Sequence, residues 1–281
     1  MWELPKDRVL NIAHRGARSL APENTLAAAR KALDAGADMW ELDVCMTGDG
    51  ELVVVHDTTL DRTSNAREVF PHRRPWNVHD FSLEELRLLD FGSWFNRKDP
   101  FGRIVAGEVT EAEALSYVGE PAPLLREALA FTVERNWLVN VEIKDLSGTR
   151  GHGSVVEQVI ALIEELGAVD RVHLSSFNLS YLGRAKARNS EISLGVLRSR
   201  SHHDPCSLIA RFGAHMFHPR LGAVRMRDIS RLRDEGTHVL VWVVNDEKTM
   251  LELIRARVSG IFTDFPQTLR LVWDREMRSR P

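Results

Sequence analysis

The sequence predicts a (β/α)8 barrel, a TIM barrel, with a small inserted subdomain after the second strand, on three observations. Eight apolar, β-branched runs alternate with helical segments along 281 residues, close to the roughly 250 typical of that fold. A ninth run, at 52–55, follows the second after only a few turn residues, whereas parallel strands need a crossover of about a dozen or more. Titratable residues gather at the ends of the early runs, and barrels carry their chemistry at the C-terminal ends of their strands.

Residues 9–14 form an apolar run that ends in His14-Arg15-Gly16. Residues 24–35 are rich in alanine and leucine, with Asn24 or Thr25 as cap and Gly36 as stop, which predicts a helix. Residues 38–44 make the second strand, and because side chains alternate faces, Glu41 and Asp43 point the same way. Thr47-Gly48-Asp49-Gly50 is a turn sequence. The run at 52–55 therefore returns antiparallel on the second strand and carries His56 back toward Asp43. Residues 58–120 break the rhythm with aromatic and proline clusters and are too long for an ordinary loop. They predict the inserted subdomain, in which Ser82-Leu83-Glu84-Glu85 is a capping box that opens a helix over 83–89. Regular alternation then resumes, with strands at 138–144, 172–177, 192–197, 215–217, 239–244 and 260–264 and helices between them. With 52–55 set aside, the parallel strands number eight, and residues 1–281 read as one barrel domain.

Composition excludes several classes of function. A formal net charge of −3 gives no basic field for nucleic acid. No apolar run approaches the roughly 18 residues of a membrane span, so no stable membrane insertion is expected. Residues 1–8 are charged and lack the apolar centre of a signal peptide. The two cysteines, Cys45 and Cys206, are far apart and have no metal or disulfide spacing, which fits a reducing compartment. The expectation is a soluble, cytoplasmic protein.

The chemistry-bearing residues converge on one barrel mouth. Glu41 and Asp43 share a strand face, and Glu142 holds the matching place on the strand at 138–144, with Lys144 one pleat further on. Three clustered carboxylates need neutralising. Either a divalent cation does this, Mg²⁺ or Ca²⁺ being favoured by an all-oxygen set, or Arg15 and Lys144 do it as structural ion pairs. Spacing alone leaves both open. His14 and His56 end their runs at the same mouth, and two histidines beside carboxylates suit acid–base catalysis. Arg15 and Lys144 have the geometry and charge to hold a phosphate. Trp242 is placed either to line a substrate pocket or to fill the core. His152, in a glycine-rich loop, has the weaker option of closing over the mouth, while His72, His202 and His203 read as surface and Cys45 as a packed small residue.

The motifs His14-Arg15-Gly16, Pro22-Glu23-Asn24-Thr25, Glu41-Leu42-Asp43-Val44, His56-Asp57 with Leu60-Asp61-Arg62-Thr63, Val141-Glu142-Ile143-Lys144, Ser175-Ser176-Phe177, Trp242-Val243-Val244-Asn245 and Gly260-Ile261-Phe262-Thr263-Asp264-Phe265-Pro266 come in this order. In that order the chain resembles the glycerophosphodiester phosphodiesterase family, part of the phosphatidylinositol-phosphodiesterase-like barrels, over nearly its whole length. The resemblance implies metal-dependent hydrolysis of a small glycerophosphodiester substrate to glycerol 3-phosphate and an alcohol. It implies Glu41, Asp43 and Glu142 as ligands of one divalent cation, His14 and His56 as the acid–base pair, and Arg15 and Lys144 on the phosphate. It also implies attack by a neighbouring substrate hydroxyl, with a cyclic phosphate that water opens. The sequence departs from the family pattern in Ser64-Asn65-Ala66-Arg67, which lacks the usual glycine, in Val243, where threonine is usual, and in Pro123-Leu124-Leu125-Arg126-Glu127. These departures touch the pocket rim and the alcohol specificity, not a ligand or an acid–base group. Two alternatives stand beside this reading. A lysophospholipase D-like enzyme would use the aromatic residues of the insertion as an acyl channel. A non-catalytic barrel would bind a phosphodiester without turnover, against which both histidines and all three carboxylates argue.

Overall fold

Eight parallel strands close on themselves in the computed structural model of the chain, which describes residues 8–279. Most of the charged segment 1–8 lies outside the described residues. The ring runs β1 (Leu10–Ala13), β2 (Met39–Met46), β4 (Leu138–Ile143), β5 (Val172–Ser176), β6 (Ser193–Arg198), β7 (Met216–Pro219), β8 (His238–Val241) and β9 (Gly260–Thr263), and β9 pairs with β1 to close it. The remaining strand, β3 (Leu52–Val54), pairs antiparallel with β2 through Val44 and Val54 and stands outside the ring, as the short turn requires. The strand ends differ by a few residues from the sequence expectation. β8 stops at Val241, so Trp242 lies just past the strand rather than within it.

Helices cover the barrel between strands: α1 (Leu26–Asp34) after β1, then α6 (Leu125–Glu134), α7 (Val155–Glu165), α8 (Leu179–Arg188), α9 (Pro205–Arg211), α10 (Met226–Asp234), α11 (Glu247–Arg255) and α12 (Pro266–Arg278) after later strands. Thr25, not Asn24, caps α1, by accepting from the Ala28 N–H. The inner face of the barrel differs from an ordinary aliphatic filling. Leu10, Ile12, Met39, Met216, Leu240 and Phe262 pack there, but His173 and His218 are also fully buried, with Nε2 atoms 3.1 Å apart. Gly195 leaves the room, since a Cβ on it would lie 2.4 Å from His173 Nε2.

The segment after β3 carries four short α-helices, α2 (Ala66–Val69), α3 (Leu83–Leu86), α4 (Ser93–Lys98) and α5 (Glu111–Ser116), and a 3₁₀ turn at Val78–Asp80. The capping box at Ser82 forms with both of its bonds, although the helix ends at Leu86 rather than Leu89. The aromatic residues here do not make a separate core. Trp76 and Phe81 are buried in the same cluster as the outer face of the barrel, with Phe70 against it. Trp94, Phe95 and Tyr117 pack on Ala27 and Ala28 of α1. Among the described residues, no helix is long and apolar enough to cross a membrane.

Candidate active site

The strand period places the three carboxylates. Asp43 and Glu142 are register partners across the β2–β4 pairing, and Glu41 is two residues back on the same face. Ligand-type oxygens of Glu41, Asp43 and Glu142 lie within 4.8 Å of one another, with all three side chains largely out of water. Two cations touch the cluster. Lys144 Nζ lies 2.7 Å from Glu142 and 3.2 Å from Asp43, and Arg15 Nε is 3.4 Å from Asp43. Burial favours the protonated form of every member, but Lys144 and Arg15 hold the Asp43 carboxyl far below the usual range. Glu41 and Glu142 go the other way. Burial and the Asp43 charge push both upward, Glu41 more strongly, against the opposing pull of Arg15 and Lys144 respectively. Three carboxylates face two touching cations, one of them shared with Glu23, so the local positive charge falls short of the three acids. Three crowded oxygen donors with that shortfall fit a hard divalent cation.

The turn after β1 aims the other groups. Arg15 and Gly16 both have positive φ, 55° and 78°. This conformation sends the Arg15 N–H to Glu41 Oε2 at 2.7 Å and the Gly16 N–H to the Glu41 carbonyl. Asn24 receives the Asp43 N–H on Oδ1 and donates Nδ2 to Asp43 Oδ2 at 2.9 Å. Residues next to one another in Pro22-Glu23-Asn24-Thr25 therefore do separate jobs: Glu23 binds arginines, Asn24 orients Asp43, and Thr25 starts α1.

Both histidines are held the same way. His14 Nδ1 lies 2.7 Å from Asp264 Oδ1, and His56 Nδ1 lies 2.6 Å from Asp57 Oδ1. A carboxylate on Nδ1 holds hydrogen there and leaves Nε2 to face the cavity, accepting a proton when the ring is neutral and giving one when it is charged. Burial and the Arg15 charge lower the His14 pKa, with Asp264 opposing. Asp264 is itself oriented by Asn245, whose Nδ2 donates to Oδ2 at 2.7 Å.

One cavity of about 270 Å³ gathers His14, Arg15, Glu41, His56, Glu142, Lys144 and Trp242. Asp43 sits behind this lining, buried to 1 % exposure. Phe177, Leu197 and Phe262 add an apolar lining, and Phe177 meets Trp242 edge to face with centroids 5.7 Å apart. Asn140 completes it, two residues before Glu142 on the same strand face. His152 does not join this cavity; its Nδ1 is 2.8 Å from the Tyr181 hydroxyl. Cys45 is buried, and burial pushes its thiol up to about 12, which leaves it inert at neutral pH. Sequence reasoning missed Asp264, Asn245 and Phe177 as site residues. The available signal was their position just past strand ends on the C-terminal face.

The family model described as "Glycerophosphoryl diester phosphodiesterase family" matches residues 14–268, which spans every site element above. The chain belongs to this family. It is 35% identical over 262 residues to a glycerophosphodiester phosphodiesterase of Caldanaerobacter subterraneus subsp. tengcongensis, covering 93% of this chain and 96% of the relative. A phosphodiesterase of Oleispira antarctica, whose structure contains the product sn-glycerol-3-phosphate, superposes with a TM-score of 0.77 at 28% identity, covering 96% and 97% of the two chains. A crystal structure from Silicibacter pomeroyi shares the fold, with a TM-score of 0.80 at 24% identity over 97% and 96% of the two chains. The barrel expected from the strand count and the expected family membership are thus both borne out.

Proposed function

We propose that the chain hydrolyses glycerophosphodiesters to glycerol 3-phosphate and an alcohol, using Glu41, Asp43 and Glu142 to hold one Mg²⁺ or Ca²⁺. The observation that carries this is the juxtaposition, in one cavity, of a charge-deficient carboxylate triad and two histidines each braced by its own carboxylate. When bound, the cation would supply positive charge against the phosphoryl oxygens.

The chain's own groups do the rest. Arg15 and Lys144 line the cavity with donors to spare and hold the phosphate. His14, kept neutral by burial and Arg15, takes the proton from the attacking substrate hydroxyl on Nε2. His56 acts from its doubly protonated form, in which Asp57 holds Nδ1–H, and gives its Nε2 proton to the departing alcohol oxygen as the phosphorus–oxygen bond breaks. The roles reverse when water opens the cyclic phosphate. Asp264 and Asp57 stabilise each ring in its charged state without accepting the proton themselves. Trp242 and Phe177 take the apolar part of the substrate.

The acyl-channel alternative loses its support because Trp76, Phe81, Trp94 and Phe95 are at most 5 % exposed and fill cores. The test is release of glycerol 3-phosphate from glycerophosphocholine, with and without EDTA. Metal-dependent release is expected. No release from any glycerophosphodiester at any divalent metal would overturn the assignment.

A further inference from the structure

We propose that Glu23 is a positioning residue that ties both histidines and the carboxylate triad into one rigid unit, an inference that rests on the acid–base roles assigned above. Glu23 is almost fully buried, and three arginines converge on it. Its Oε1 accepts from Arg15 Nη1 at 2.8 Å and Arg62 Nη2 at 2.7 Å. Its Oε2 accepts from Arg62 Nη1 at 3.0 Å and pairs with Arg18 Nη2 at 2.9 Å. Four contacts occupy the roughly four lone-pair sites a carboxylate offers.

The far end of each arginine decides what the hub does. Arg62 Nε reaches Asp57 Oδ2, the carboxylate that holds His56. Arg18 Nη1 lies 3.7 Å from Asp264 Oδ1, the atom that holds His14. Arg15 Nε faces Asp43 of the triad. One buried carboxylate thus connects three functional elements drawn from four separated parts of the chain.

Removing the Glu23 charge has a directional consequence. Among the described residues, Arg18 and Arg62 would be left with Asp264 and Asp57 as anionic partners, and those carboxylates are the histidines' own Nδ1 acceptors. The guanidiniums would then draw more strongly on the two carboxylates that hold the imidazoles, at the shared Oδ1 of Asp264 and at Oδ2 of Asp57. The structural alternative is that Glu23 merely neutralises buried arginines. It predicts lost stability with no selective effect on the rings.

The experiment uses the full chain and the variants Glu23→Gln and Arg62→Met. Glu23→Gln is nearly isosteric, and Arg62, about one-third exposed, is the milder cut, leaving a test even if the first variant fails to fold. Glu23→Gln should lower kcat on glycerophosphocholine by about 10- to 100-fold, the scale of small misplacements at a reacting centre. Its KM should stay within a few-fold of wild type. In ¹H–¹⁵N spectra of the imidazoles, with His14→Ala and His56→Ala used for assignment, Glu23→Gln should move both ring signals. Arg62→Met should move only that of His56. An unchanged kcat in Glu23→Gln overturns the proposal. So do unmoved ring signals in either variant, whatever happens to the melting temperature. Absence of turnover in the wild type would instead overturn the hydrolase assignment, and the ring signals would still decide the positioning role.

Discussion

Gly16→Ala separates two costs that the turn after β1 imposes. Gly16 has φ +78°, and a Cβ there would lie 2.6 Å from Ala28 Cβ, 2.7 Å from its carbonyl carbon and 2.8 Å from its oxygen. The left-handed conformation costs an L residue about 1–2 kcal/mol, and forcing α1 to give way adds the about 1–3 kcal/mol typical of overpacking. With an unfolding entropy of about 2.1 cal/mol/K per residue, a chain of 281 residues has about 0.6 kcal/mol/K, so the combined cost lowers Tm by about 3–8 °C. Gly50 is the internal control: its φ is +93°, but nothing lies within 4 Å of an added Cβ. Gly50→Ala therefore carries the backbone cost alone, about 2–3 °C. The functional consequence also differs, because Gly16 and Arg15 donate to the Glu41 backbone and side chain. Displacing the turn should weaken Mg²⁺ or Ca²⁺ binding in Gly16→Ala and leave it intact in Gly50→Ala. Calorimetric melting and metal titration read both. Equal melting temperatures for the two variants would refute the steric argument, and wild-type metal affinity in Gly16→Ala would refute the link from turn to triad.

Metal affinity should rise with pH, because Glu41 and Glu142 have raised pKa values and a cation must displace their protons. Titrations showing constant affinity between about pH 5 and 8, with no proton release, would contradict this. Glu142→Gln should weaken that binding, and an unchanged Kd would remove Glu142 from the ligand set. His14→Ala and His56→Ala should each abolish turnover while retaining the cooperative melt; a variant with normal kcat would remove that histidine from the mechanism. The Lys31 ammonium and the Thr110 N–H hold the Glu113 carboxyl down at about 2. A depressed pKa stabilises the fold above the unfolded value of about 4.3. That contribution, at most about 1 kcal/mol for so exposed a pair, is lost as pH falls through about 2. Urea unfolding of wild type and Glu113→Gln should therefore differ at neutral pH and converge in strong acid, and a gap independent of pH would count against the pair.

Local sequence determined whatever depends on short-range periodicity. Period-two alternation put Glu41 and Asp43 on one face, the four-residue turn fixed β3 as antiparallel, and the Ser82 capping box marked its helix start. Counting strands was enough to expect the barrel, because each strand–helix unit is locally encoded. Tertiary structure decided the partners. Asp264 meets His14 across 250 residues of chain, and no spacing rule connects them; only closure of β9 on β1 does. The aromatic residues of the insertion pack on the barrel and α1, contacts between segments distant in the chain that no local pattern encodes. Glu23 gave no local sign of its place, because a hub is defined by the arginines that reach it, and Arg62 arrives from the far side of the β2–β3 hairpin.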